Sequence, residues 1–169
     1  GSVCSKEPRQ VLDEINKLSE HGFKEIILSG IHTASYGLDL DSEITLVDLL
    51  EEIEKLDGIE RVRIGSIEPA FFTPEVIEKI RNMKKLCPQF HLSLQSGCNA
   101  TLKRMNRRYT AEEYERIVNI LRENIKDVSI TTDVIVGFPG ETEEEFNETY
   151  EFLKRIKLTK THVFKYSPR

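Results

Sequence analysis

The sequence predicts an α/β fold, a partial (βα) TIM-like barrel of parallel strands, from three observations. Helical and strand patterns alternate along the chain with almost no interruption. Each stretch between successive strand patterns is long enough for the crossover that parallel neighbours require. Several strand patterns alternate apolar with polar residues, which suits a curled sheet with a ligand-binding concave face better than a sheet buried on both sides. An open, doubly wound sheet is the alternative that the last observation disfavours.

The elements follow in order. A helix is expected over about 8–21, with Val11, Leu12, Ile15 and Leu18 on one face and Gly22 as its stop. Strand 24–29 comes next. Thr45, answered by Asp48 three residues later, starts a second helix that turns Leu46, Leu49, Leu50, Ile53 and Leu56 inward. Strand 61–65 follows. Thr73 before Pro74 marks a third helix with a stripe of Val76, Ile77, Ile80 and Met83. In strand 90–94 and just after it, a period of two places His91, Ser93 and Gln95 opposite Leu92 and Leu94. Thr110 with Glu113 starts a helix carrying Tyr114, Ile117, Val118 and Leu121, ahead of strand 129–136. Thr142 with Glu145 starts the last helix, whose Phe146, Tyr150, Leu153 and Ile156 are expected to face the sheet before strand 161–166. That makes five strands and five helices.

The opening helix has no strand before it, so the barrel is expected to be truncated at that end. Gly1 and Ser2 read as a tag remnant, leaving 3–169 as one core domain. With 38% hydrophobic and 31% charged residues the chain has enough apolar content for a core and too little bias for disorder. Its apolar runs, such as Ile26 to Leu28, are far too short to cross a bilayer, and its start has no signal-peptide pattern. No membrane association and a cytoplasmic location are expected. Cys4, Cys87 and Cys98 lack the close spacing of a metal motif, and their odd number argues against a disulfide framework.

In parallel βα arrays the functional rim lies at the C-terminal ends of the strands. The strands here end in Ser29, Gly30 and His32; in Ser66, Glu68 and Pro69; in Gln95, Ser96 and Gly97; in Gly137 to Glu141; and in Lys165, Tyr166 and Ser167. Gly30, Gly97, Gly137 and Gly140 also suit plain turns, Glu68 a solvated loop, and His32 a surface position. Thr132 and Asp133 stand inside an apolar strand, where polar groups cost energy unless hydrogen-bonded, and a lumen or a ligand would supply the bonds. The net charge of −5 gives no global field for nucleic acid. Lys103, Arg104, Arg107 and Arg108 nevertheless form a local cluster that suits phosphate as well as a solvated helix end. There is no P-loop, no GxGxxG after a strand, no HExxH and no nucleophile elbow.

The strings IILSGIHTASYG (26–37), RIGSIEP (63–69), FHLSLQSG (90–97), LKRMNRRYT (102–110), TTDVIVGFPGETEEEF (131–146) and HVFKYSPR (162–169) together resemble the radical S-adenosylmethionine domain of the methylthiotransferases. The match runs from Ser5 over nearly the whole chain. The GIH string looks like the branch acting on threonylcarbamoyladenosine of tRNA. The sister branches act on isopentenyladenosine of tRNA or on a ribosomal-protein aspartate.

The resemblance implies a larger enzyme, with an N-terminal cluster-bearing domain, a central partial barrel and a C-terminal RNA-binding domain. It implies S-adenosylmethionine and two 4Fe-4S clusters as cofactors, tRNA as partner, and transfer of a methylthio group to C2 of the adenine. For cofactor contacts it implies Gly30, Ile31 and His32; Glu68 and Gln95; Thr132 and Asp133; Ile135 and Gly137; and Phe164 and Lys165. Lys103, Arg104, Arg107 and Arg108 are its candidates for the methionine carboxylate or the tRNA backbone.

The family's first strand and CxxxCxxC loop do not appear before the first helix, and Cys4 is not one of those ligands. This chain alone is therefore expected to hold no metal, to bind no cofactor tightly and to be inactive, with no catalytic residue assigned. The strand edge left open invites a homodimer or a strand swap. Three rivals remain: the isopentenyladenosine or ribosomal-protein branch of the same family, a non-catalytic nucleotide- or RNA-binding module, and a cofactor-independent hydrolase or aldolase using Glu68 or Asp133.

Overall fold

The computed structural model describes residues 3–168; Gly1 and Ser2, read above as a tag remnant, lie outside the described residues, as does Arg169. Five strands, each paired in parallel within its own sheet, alternate with helices. The chain divides into two compact units, one ending at Pro88 and the other beginning at Gln89.

In the first unit, α1 (Pro8–Glu20) begins on Pro8, where a missing N–H costs nothing. Of its apolar stripe only Ile15 is fully buried. Strand β1 (Glu25–Leu28) pairs in parallel with β2 (Arg61–Ile64), Ile26 opposite Val62. The Glu25 carboxylate takes Arg61 on one oxygen and Arg63 on the other, each at 2.7 Å. Helix α2 (Leu46–Glu54) starts with the expected Thr45–Asp48 capping box and buries Leu46, Val47, Leu49, Leu50 and Ile53. Helix α3 (Pro74–Ile80) is capped by the Thr73 hydroxyl and buries Ile77 and Ile80. Ahead of α1 the chain is strapped to the loop after β1: the Ser5 amide donates to Asp39 at 2.8 Å, and the Tyr36 hydroxyl to the Lys6 carbonyl at 2.9 Å.

In the second unit the sheet order is β3 (Gln89–His91), β4 (Ser129–Val136), β5 (Lys160–Lys165). Helix α5 (Ala111–Asn124) and helix α6 (Glu143–Ile156) both open on the expected capping boxes. A short sixth helix, α4 (Asn99–Arg104), was not expected from the sequence.

Two expectations, one for a strand and one for a helix, need correction. Strand β3 closes at His91 because its ladder is interrupted: the Leu94 amide donates to the Thr132 hydroxyl at 2.9 Å instead of to a carbonyl. Pairing resumes with Gln95 opposite Val134, whereas His91 stands opposite Thr131. Four steps on β3 thus match three on β4, a one-residue bulge. The inward face of α6 is also rotated from the expected one. Thr149, Phe152 and Ile156 are buried, while Phe146 and Tyr150 are 40% and 53% exposed. The Thr149 hydroxyl meets Ser96 Oγ at 3.0 Å and accepts from the Gly97 amide, and these bonds draw a polar residue inward.

Candidate functional site

In the first unit, parallel pairing brings the C-terminal ends of β1 and β2 side by side, and the loops that follow carry the rim. Gly30, Ile31 and His32 come directly after β1, with Ile31 96% exposed. Glu68 precedes a short 3-10 turn, Pro69–Phe71. His32 Nδ1 lies 3.5 Å from Glu68 Oε1, so two of the expected rim residues meet; both are more than half exposed, and the contact adds little stability. Gly30, Ile31 and His32 also line a cavity of about 710 Å3 whose apolar wall comes from Val11, Ile15, Ile26 and Leu28.

In the second unit a polar patch lies on one face of the sheet. His91 Nδ1 is 2.9 Å from the Thr131 hydroxyl, and His91 Nε2 is 3.1 Å from Asp133 Oδ2. His162 pairs in register with Asp133, and its ring centre is 6.3 Å from that of His91. Ile135 and Phe164 are also register partners, two residues further along, so strand alternation puts them on the same face. Gln95 sits at the bulged end of β3 with φ +72°, a left-handed backbone uncommon outside glycine. Its amide donates to the Asp133 carbonyl and its carbonyl accepts from the Ile135 amide, both at 2.9 Å.

The turn after β4 closes the site's edge. Gly137 adopts φ +72°, and its amide donates to Glu141 Oε1 at 2.8 Å. Thr142 then caps α6, and the Glu145 carboxylate that accepts from the Thr142 amide also receives Arg104. The Arg104 guanidinium, with help from that amide, holds the Glu145 carboxyl below its ordinary range. Phe138 and Tyr166 pack edge to face across the ends of β4 and β5, ring centres 5.4 Å apart.

Three expected site residues stand elsewhere. Thr132 is fully buried, donates to the Leu92 carbonyl at 2.6 Å and accepts from the Leu94 amide, so the protein itself supplies the bonds that a ligand was expected to supply. Lys165 alternates with Phe164 and falls on the other face of β5. Arg104 is committed to Glu145, whereas Lys103, Arg107 and Arg108 are exposed and in no ion pair among the described residues. His91 and His162 were missed as site residues. His91 was legible from its period-two relation to the other polar residues, but His162 needed the β4–β5 register. Among the described residues no three His, Cys, Asp or Glu side chains converge as metal ligands, so these residues do not fit an iron-sulfur cluster. No described helix is long and apolar enough to cross a membrane.

A family model described as the radical SAM superfamily matches residues 5–153. Over its whole length the chain is 44% identical to a tRNA-2-methylthio-N(6)-dimethylallyladenosine synthase of Thermoanaerobacter pseudethanolicus, of which it covers 36%. It is also 44% identical to the threonylcarbamoyladenosine tRNA methylthiotransferase MtaB of Bacillus subtilis, of which it covers 38%. The chain thus spans little more than a third of the curated relatives it matches. Among solved structures, the radical S-adenosylmethionine methyltransferase TsrM of Kitasatospora setae aligns with a TM-score of 0.73 at 20% identity, over 95% of this chain and 31% of that one. Coproporphyrinogen III oxidase (HemN) of Escherichia coli aligns with a TM-score of 0.69 at 17% identity, over 95% of this chain and 37% of that one. At these identities the likeness is one of fold.

Proposed function

The chain belongs to the radical SAM superfamily, and from that premise we propose that it is the central part of a cytoplasmic tRNA methylthiotransferase. Identity of 44% over the whole of this chain to two tRNA methylthiotransferases carries this reading. The whole protein then acts on C2 of an adenosine in tRNA, with S-adenosylmethionine and two 4Fe-4S clusters as cofactors. The cluster ligands belong to parts of the enzyme outside this chain, which alone is inactive.

Within the chain, the proposed cofactor contacts of the first unit are Gly30, Ile31, His32 and Glu68. Those of the second are Gln95, Asp133, Ile135, Gly137 and Phe164. Their task is to bind and orient: backbone groups after β1 and β4 offer hydrogen bonds, Asp133 offers a carboxylate, and Ile135 with Phe164 offers an apolar surface for a flat base. On its own the chain pairs with a second copy along the open edge of β1.

The substrate branch proposed is threonylcarbamoyladenosine, on the Gly30–Ile31–His32 loop. The dimethylallyladenosine branch is the second reading, favoured by the several synthases of that name among the relatives. The test is to reconstitute the full-length protein with iron and sulfide under anaerobic conditions, incubate it with tRNA, S-adenosylmethionine and dithionite, and weigh the modified nucleosides. A methylthio group on threonylcarbamoyladenosine is expected; one on dimethylallyladenosine moves the branch, and cofactor cleavage with neither product removes the tRNA reading.

A further inference from the structure

The loop after β1 winds through successive turns from Gly30 to Leu40, and its two ends are held differently. Gly30 to His32 have little packing of their own. Ile31 is almost fully exposed, the Thr33 hydroxyl reaches the Gly30 carbonyl only at 3.3 Å, and the His32 carbonyl accepts the Ser35 amide at 2.9 Å. Tyr36 to Asp39, by contrast, are clamped to the segment that leads into α1. The Ser5 hydroxyl accepts the Gly37 amide at 2.9 Å, and the Ser5 amide donates to the Asp39 carboxylate at 2.8 Å. Together the Ser5 hydroxyl and amide hold the Asp39 carboxyl below its ordinary range. The Tyr36 hydroxyl donates to the Lys6 carbonyl at 2.9 Å. Burial, with the charges of Glu7 and Asp39 behind it, raises that phenol above its ordinary value and keeps it a donor. The bonded partners stand 30 to 34 positions apart, so the clamp ties two separate stretches of chain and is not a local turn.

We propose that Ser5, Tyr36 and Asp39 are positioning residues for the rim loop: they fix its far end and thereby hold Gly30, Ile31 and His32 in the arrangement that meets the cofactor. The proposal rests on the reading of Gly30 to His32 as cofactor contacts and adds what holds them in place. Each of the three acts through the backbone of residues 33–37 rather than by touching the cofactor. A loop that its own contacts restrain so little samples other arrangements once its anchor is cut. Its apparent affinity for a ligand then falls in proportion to the fraction of molecules left in the competent arrangement.

The test combines amide hydrogen exchange with calorimetric titration of S-adenosylmethionine on the full-length protein, reconstituted with iron and sulfide. In the wild type the cofactor is expected to slow exchange across 30–36. Ser5→Ala removes the acceptor for the Gly37 amide and one donor to Asp39, and Tyr36→Phe removes the donor to Lys6. Each is expected to speed exchange across 30–37 without cofactor and to weaken cofactor binding about tenfold. Ser5→Thr, which keeps the hydroxyl, is expected to stay close to the wild type. Ile77→Val is the stability control: it trims the buried face of α3 in the same unit, and it is expected to lower the melting temperature while leaving affinity unchanged. Wild-type affinity in both Ser5→Ala and Tyr36→Phe, or an equal loss of affinity in Ile77→Val, overturns the positioning role. Wild-type protein that binds the cofactor with no change in exchange across 30–36 overturns the reading of the loop as a cofactor contact, and the proposal with it.

Discussion

His91 and Asp133 meet across the β3–β4 pair, Nε2 to Oδ2 at 3.1 Å, with the other ring nitrogen on Thr131. The contact orients the carboxylate on the face that also carries Ile135. Asp133→Asn keeps the shape and removes the charge. In the full-length protein we expect it to weaken S-adenosylmethionine binding about tenfold, roughly 1.4 kcal/mol, by calorimetric titration. Unchanged affinity would reduce Asp133 to a partner of His91 alone.

Thr132 answers for two backbone groups that the bulge leaves without a ladder partner. Thr132→Val conserves shape but strands the Leu94 amide and weakens the satisfaction of the Leu92 carbonyl, which the Tyr114 hydroxyl also reaches at 2.7 Å. A loss of about 1–3 kcal/mol is expected in chemical denaturation. A neutral result would mean that the strand re-forms a regular ladder.

Acid should loosen the fold through three carboxylates whose folded-state pKa values are depressed. Arg61 and then Arg63 lower that of Glu25 from an ordinary 4.5; the Thr45 side chain and backbone lower that of Asp48 from 3.8; Arg104 lowers that of Glu145 from 4.5. Each favours the folded state while ionised, so the contribution is present above the ordinary value and is lost as pH falls through the depressed one. Melting temperature should therefore decline below about pH 4.5, and Glu25→Gln should make that decline shallower while lowering the plateau. Parallel curves for variant and parent would contradict this.

Gly37 combines a left-handed φ of +89° with a neighbour, the Ile44 carbonyl oxygen, 1.7 Å from where a Cβ would stand. Gly22 has nearly the same φ, +88°, and nothing within 4 Å. Gly22→Ala should cost about 1–2 kcal/mol from backbone alone. Gly37→Ala must also displace the loop, and its melting temperature should fall well below that of Gly22→Ala.

Much of this architecture was legible because it is written locally. The Thr45, Thr110 and Thr142 boxes and Pro74 set four helix starts within a few residues of chain, and the structure has each of them. What escaped depends on distant partners. Which face of α6 turns inward is decided by Thr149 bonding to Ser96 and Gly97, more than fifty positions away. The bulge in β3 exists only relative to β4, and His162 joins the polar face only through the β4–β5 register. The paired roles of Arg104 and Glu145, 41 positions apart, were hidden for the same reason.

Every described pairing of β1 and β2 is made by residues no later than Cys87. On the ribosome, at about 5–20 residues per second, the first unit can therefore close its sheet several seconds before β4 and β5 have been synthesised. Its apolar side chains then spend that interval mostly buried, so nascent protein halted by scarce tRNA at the codon for residue 130 would present chaperones, within this stretch, with a folded first unit and only the unfinished second unit to shelter.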